Sequence, residues 1–174
     1  MTNLIIGNII SFISAVFLGM SCCAKERKKI FRLQLLNCFT YGVASYFFGS
    51  YAAIATLVCC CLRCIFIMKD MFTKRTAYLL TLVVIVSGVM TNNMGFIGLL
   101  PVIATAEYTL CCYYIEDPHR TRYSIMVNEL IWVIYAIIIK DFSTTVCDAV
   151  VIGADIIAII NYHKAKKVET AHIN

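Results

Sequence analysis

Apolar residues in this chain come in long blocks separated by brief polar connectors. Seven blocks approach the roughly 17–25 residues that a helix needs to cross a hydrocarbon core: residues 4–22, 33–49, 52–68, 77–91, 96–115, 122–139 and 143–161. The connectors leave no room for a soluble domain between them. This pattern predicts an all-α integral membrane protein with seven transmembrane helices. Composition agrees: 61% of the 174 residues are hydrophobic and 14% are charged, against about 45–50% and about 25% in soluble domains. A soluble domain of this size could not hide the surplus. An ordinary soluble enzyme, a disordered chain and a nucleic-acid binder are therefore excluded, and the expected solvent is a lipid bilayer.

The basic residues give an expected topology. Lys25, Arg27, Lys28, Lys29 and Arg32 follow the first block, and Lys69, Lys74 and Arg75 follow the third. Arg120 and Arg122 follow the fifth; Lys164, Lys166 and Lys167 follow the seventh. The alternate connectors contain one basic residue, Lys140, and Arg63 lies inside a block. The positive-inside rule then places the N-terminus outside and the C-terminus in the cytoplasm. The net charge of +5 mainly sets orientation, with a cytoplasmic partner or anionic lipid as a second use. The first block lacks a basic flank before it and carries its positive charges after it, so a retained helix is expected rather than a cleaved signal peptide.

Sliding the chain against itself by 91 positions aligns the first three blocks with the last three. Ile6-Gly7 falls on Ile97-Gly98, Ser14-Ala15 on Thr105-Ala106, and Phe17 on Tyr108. Asn37 falls on Asn128, Tyr41 on Trp132, Tyr51 on Phe142, and Ile65 on Ile156. The expected layout is a three-helix repeat over residues 1–70, a linker helix within 71–95, a second repeat over 96–163 and a cytoplasmic tail over 164–174. Three spans invert the chain and the linker restores its direction. The two repeats are then parallel, and a substrate site is expected at their interface.

Five ionisable residues fall inside the blocks: Arg63, Glu107, Glu129, Asp148 and Asp155. Each costs about 2.5–3.5 kcal/mol near mid-bilayer on insertion scales, so such residues normally face an interior and mark function. Counting from the expected cytoplasmic helix ends puts all but Asp148 in one layer, with Asp148 nearer the outer face on the same stripe as Asp155. Arg63 is expected to pair with Asp155 or a neighbouring glutamate. One arginine cannot neutralise the remaining carboxylates, so at least one is expected to carry a proton or to await a cation or a cationic ligand. Asn37 and Tyr41 on the second helix, and Asn128, Trp132 and Tyr135 on the sixth, recur at helical spacing. Amides beside aromatic faces suit a polar ring or a sugar, and the same asparagines also suit interhelical hydrogen bonds.

The ten cysteines offer no metal pattern. Cys59, Cys60, Cys61 and Cys64 form a run in the third block, but successive helical residues point about 100° apart, and only Cys60 and Cys64 share a face. They are expected to act as small apolar residues. No cofactor motif, phosphate loop or catalytic triad pattern is present, so no metal, cofactor or enzymatic activity is expected.

Several stretches carry a resemblance. Gly98-Leu99-Leu100-Pro101-Val102-Ile103 opens the fifth block, Trp132-Val133-Ile134 lies in the sixth, and Ser50-Tyr51 leads into the third block with its Arg63. These resemble the bacterial inner-membrane YgjV-like family. The 3+1+3 order with parallel repeats looks like the wider superfamily of SWEET sugar transporters, PQ-loop proteins and PnuC vitamin transporters. The resemblance implies the bacterial cytoplasmic membrane, a SWEET-like fold, carriage of a small polar metabolite such as a sugar, nucleoside or vitamin, and room for a homo-oligomer. Sugar-carrying relatives place prolines in several gate helices. Here Pro101 alone qualifies as a gating residue, since its repeat partner is Ile10. The expected function is an alternating-access transporter, with the excess carboxylates admitting coupling to protons. The rival expectation is a non-transporting membrane sensor or assembly protein that binds a cytoplasmic partner.

Overall fold

The computed structural model describes the backbone of residues 2–24, 26–115 and 118–171, with all side chains in these stretches except those of 22, 23, 27, 118–122, 154, 155, 158 and 161–171. Among the described residues the secondary structure is helical throughout. The elements are α1 (Thr2–Cys23), α2 (Arg27–Phe47), α3 (Tyr51–Met68), α4 (Lys74–Met90), a single 3-10 turn (Ile97–Leu99) leading into α5 (Leu100–Tyr114), α6 (Pro118–Ile139) and α7 (Phe142–Ala171). Thr2–Ser21, Tyr51–Met68 and Ile97–Tyr114 are long and apolar enough to cross a membrane by length and composition, and Tyr123–Ile139 and Phe142–Gly153 are shorter apolar segments.

The helices overrun the apolar blocks at one end of the bundle. α2 starts at Arg27, α6 at Pro118, and α7 runs on to Ala171. Hydrophobicity marks where a helix leaves lipid. It does not mark where the helix stops, and Lys, Glu and Ala after residue 161 are good helix formers. This end carries the lysines and arginines and is called the basic end below.

The opposite end is built from tight turns. After α2, Gly49 takes φ 71°, with Gly49 N–H donating to Tyr46 O at 3.1 Å and Ser50 N–H to Ser45 O at 3.0 Å. After α6, Lys140 takes φ 63°, with its N–H donating to Ile137 O at 3.2 Å and Asp141 N–H to Ala136 O at 2.9 Å. Both are left-handed helix caps of one form. Each is followed by a residue whose side chain caps the next helix. Ser50 Oγ accepts from Ala53 N–H at 3.4 Å, and Asp141 Oδ1 accepts from Thr144 N–H at 3.1 Å, satisfying otherwise orphaned donors.

Six helices close a ring. α1 packs on α2 and α2 on α3; α5 packs on α6 and α6 on α7; α3 meets α5 and α1 meets α7. α4 lies against α3 and α5, where Gly88 permits close approach: a Cβ there would stand 2.4 Å from Val102 Cγ2. Polarity is arranged inside out. Ser11, Ser14, Ser45, Thr56, Arg63, Thr105, Asn128, Asp141, Thr144 and Asp148 are buried, whereas Phe12, Leu79, Leu82, Phe96, Val146 and Val150 are exposed. That is the inverse of a water-soluble domain and suits a bilayer.

Candidate binding cavity

The ring encloses a cavity of about 100 Å³ lined by all six of its helices and by no residue of α4. That is a few times the volume share of one water molecule and well below the roughly 300–1,000 Å³ of sites that hold drug-sized ligands. The space between the six helices is therefore narrow in this conformation. A second hollow, about 500 Å³, is an open apolar groove between α1 and α7 lined by Leu4, Ile9, Phe12 and Phe142, where acyl chains would lie.

The cavity walls match in pairs 91 residues apart. Ser14 and Thr105, Asn37 and Asn128, and Tyr41 and Trp132 all line it. So do Gln34 and Ile125, Cys38 and Glu129, Leu57 and Asp148, and Cys60 and Val151. The two asparagines also do matching structural work. Ser14 Oγ donates to Asn37 Oδ1, tying α1 to α2, and Asn128 Nδ2 donates to Ala104 O at 2.7 Å, tying α6 to α5. Both therefore make interhelical bonds while lining the space.

Arg63 is 4% exposed and lines the cavity towards the basic end. Its Nη1 donates to Thr109 Oγ1 at 3.1 Å, and its guanidinium carbon lies 4.6 Å from the Tyr108 ring centroid. Its Nε has no partner. Among the described residues no carboxylate lies within ion-pair distance of it, the one ion pair there being Lys28–Asp70 at the exposed basic end, 3.1 Å. The expected partner Asp155 lies on α7, and its side chain is outside the described residues. The other expected partners bond elsewhere: Glu107 Oε1 accepts from Ser124 Oγ at 2.9 Å and from Cys111 Sγ at 3.0 Å at the α5–α6 contact, and Glu129 meets Asp148. Arginine thus serves the cavity as a cation held by a hydroxyl and an aromatic face.

Asp148 is 3% exposed and faces Glu129 of α6, with Asp141 nearby. Trp132 stands between two tyrosines, edge-on to Tyr41 at 5.6 Å and to Tyr135 at 5.7 Å. Of the residues predicted from sequence, Asn37, Tyr41, Arg63, Asn128, Glu129, Trp132 and Asp148 line the cavity. Glu107 lies away from it. Tyr135 is fully buried in the packing behind Trp132. Pro101 sits in the first turn of α5, where a missing N–H leaves no bond unmade. It starts that helix and does not kink it, which removes the local reason for expecting a hinge there.

Measured from the turn end at about 1.5 Å per residue, the Cα atoms of Arg63, Glu107, Glu129 and Asp155 fall about 15–20 Å along their helices, so a common layer survives. The basic-end count does not, because α6 and α7 run past the apolar blocks.

Three features escape the sequence. Cys38 of α2 packs at the same wall as Cys60 of α3, a convergence that no run of cysteines within one helix could announce. At the turn end, Asn8 of α1 clamps the α6–α7 turn: its Nδ2 donates to Lys140 O at 3.2 Å, and its Oδ1 accepts from Phe142 N–H at 2.9 Å. Asn93, between α4 and α5, clamps the α2–α3 turn in the same way, donating to Gly49 O at 2.7 Å and accepting from Tyr51 N–H at 3.3 Å. Each hairpin is thus held by an asparagine from a distant part of the chain. An asparagine near a helix end was the one available signal.

An apolar outer surface around buried charge and amide groups defines a helical membrane protein with an interior polar site. The chain belongs to the Imp-YgjV family, described as bacterial inner membrane protein, whose model matches residues 5–166. No curated protein and no solved structure matches it.

Proposed function

We propose that this protein is a carrier for a small polar metabolite, working by alternating access across the bacterial inner membrane, and is not an enzyme. The observation that carries this reading is the cavity whose opposite walls are supplied by residues 91 positions apart. The contacts between halves follow the same exchange, since swapping α1 with α5 and α3 with α7 turns the α1–α7 contact into the α3–α5 contact. The left-handed caps at Gly49 and Lys140 and the capping side chains Ser50 and Asp141 repeat at the same offset. Two parallel three-helix units with α4 as linker, the 3+1+3 plan, account for all of these. The axis between such units runs along the membrane normal, and a site on it can open to either side as one unit tilts. The positive-inside rule puts the basic end in the cytoplasm and the turn end outside. In the conformation described, Asn8 and Asn93 hold the two turns of that end.

The test uses the single tryptophan, which lies in the cavity wall. A metabolite panel screened on purified protein, read by Trp132 fluorescence and thermal unfolding, should yield a ligand that shifts both. Maleimide added from either face of oriented vesicles should react with Cys60, because each face opens in turn. A panel without a response, together with a Cys60 thiol that is sealed from both faces, would refute the carrier reading in favour of a non-transporting membrane protein.

A further inference from the structure

Among the described residues, three that line the cavity have a buried polar atom without a partner: Arg63 Nε, Gln34 Oε1 and the Tyr41 hydroxyl. The first two belong to one chain of contacts. Arg63 of α3 lies against the Tyr108 ring of α5, its guanidinium carbon 4.6 Å from the ring centroid, and Thr109 takes its Nη1. The Gln34 amide of α2 hydrogen-bonds the Tyr108 hydroxyl, and Gln34, Arg63 and Tyr108 all line the cavity. One turn further along the same face of α2 stands Asn37, also in the wall. Ser14 occupies its Oδ1, which leaves the Nδ2 to donate. This side of the cavity thus offers a guanidinium edge, an amide nitrogen and an amide oxygen.

Those groups specify the chemistry of a ligand. Arginine is always charged and carries five N–H donors in a rigid fork, and burying it is costly unless a counter-charge meets it. No carboxylate of the described residues stands within ion-pair distance of Arg63; Glu129 and Asp148 line the cavity beyond that limit. A water molecule can bridge Arg63 Nε and Gln34 Oε1, but it brings no charge to the guanidinium. A carboxylate does, and its two oxygens can accept from Arg63 Nε and Asn37 Nδ2 together. A phosphate dianion would add a second negative charge to a wall that already holds Glu129 and Asp148, so a singly charged acid is favoured. Gln34 Oε1 needs a donor, which a carboxylate lacks and a hydroxyl on the neighbouring carbon supplies. The cavity of about 100 Å³ equals about three waters' share of volume, so the acid has only a few carbons.

We infer that Arg63, Asn37 and Gln34 form a binding site for a small hydroxycarboxylate. The inference rests on reading the cavity as a site for a small polar metabolite and adds the charge and class of that ligand. In the experiment, thermal unfolding of the purified protein is followed by Trp132 fluorescence in sodium lactate, sodium propionate, sodium chloride or neutral 1,2-propanediol, at equal ionic strength. Lactate in about hundredfold excess over its dissociation constant should raise the midpoint by about 5–10 °C relative to chloride. Propionate, the same acid without the hydroxyl, should bind about tenfold more weakly, and propanediol, which has the hydroxyls without the charge, should give no shift. Arg63→Met should abolish the lactate shift, and Gln34→Leu should erase the preference for lactate over propionate. Glu107→Gln, outside the cavity, should keep both. Gln34→Leu alone serves if Arg63→Met fails to fold. Equal midpoints in lactate and chloride would overturn the site, as would a lactate shift that survives Arg63→Met or one that propionate or propanediol matches. A lactate response in a protein whose Cys60 is sealed from both faces would uphold the site and remove the carrier. A response to neutral metabolites alone, with Cys60 reactive from each face, would uphold the carrier and overturn the site.

Discussion

Replacing Arg63 with methionine should leave the protein about as stable as the parent while removing its response to ligands. The guanidinium makes two attractive contacts: the Tyr108 face at 4.6 Å, worth about 2 kcal/mol when desolvated, and the charged hydrogen bond to Thr109 at 3.1 Å, worth about 1.5–3 kcal/mol. Against these stand the several kcal/mol needed to desolvate a buried ion and about 1–3 kcal/mol for the Nε that finds no partner. The terms nearly cancel, so methionine, which fills the same path with apolar atoms, should shift stability by no more than about 1 kcal/mol in either direction. Arg63→Ala leaves a void as well and should lose about 2–3 kcal/mol. Thermal or denaturant unfolding of the three proteins in one detergent measures the series. The Trp132 fluorescence response to any ligand found by screening measures the other half. If methionine destabilises as much as alanine, by about 3 kcal/mol, Arg63 is a structural keystone and the reasoning above is wrong.

Lys140 adopts a left-handed conformation at the position matched by Gly49, so Lys140→Gly should stabilise the protein by about 1 kcal/mol, seen as a raised unfolding midpoint; an unchanged or lowered midpoint counts against the cap. Gly88→Val drives side-chain atoms into Val102 at the α3–α4–α5 contact and should lose about 1–3 kcal/mol. Gly42→Ala, where the new Cβ would lie 3.9 Å from Leu57 Cβ, should be tolerated in the same assay. Asn8→Ala releases three turn-end hydrogen bonds and Asn93→Ala two, for a loss of about 1–2 kcal/mol per substitution. Both should speed maleimide reaction of Cys60 from the turn end, and an unchanged rate would show that the clamps do not close it.

The number and rough location of the helices were legible because a bilayer imposes a local rule: every backbone group must be satisfied within its own helix and every outward residue must be apolar. Seven apolar blocks became seven helices for that reason. The helix ends were not legible where polar helix formers continue past the lipid, as in α7. The Asn37, Tyr41, Asn128 and Trp132 set was readable because helical spacing places such residues on one face before any packing is known. Arg63 was readable as an interior residue. Its neighbours were not, since Thr109 and Tyr108 reach it from another helix 45 or more residues away, and charge complementarity alone favoured a carboxylate.

By itself, then, the sequence determined a membrane-embedded helical bundle and, through helical spacing, the shared faces of Asn37 with Tyr41 and of Asn128 with Trp132. These depend on periodicity and on the free energy of moving side chains between water and hydrocarbon, which act residue by residue. Tertiary structure alone decided that six helices close into a ring with α4 outside, that Asn8 and Asn93 clamp the two turns, and that Arg63 meets Thr109 and Tyr108 while Asp148 meets Glu129. Those choices depend on how ridged helix surfaces pack and on which distant polar groups can meet, and hydrocarbon gives no local preference among the alternatives.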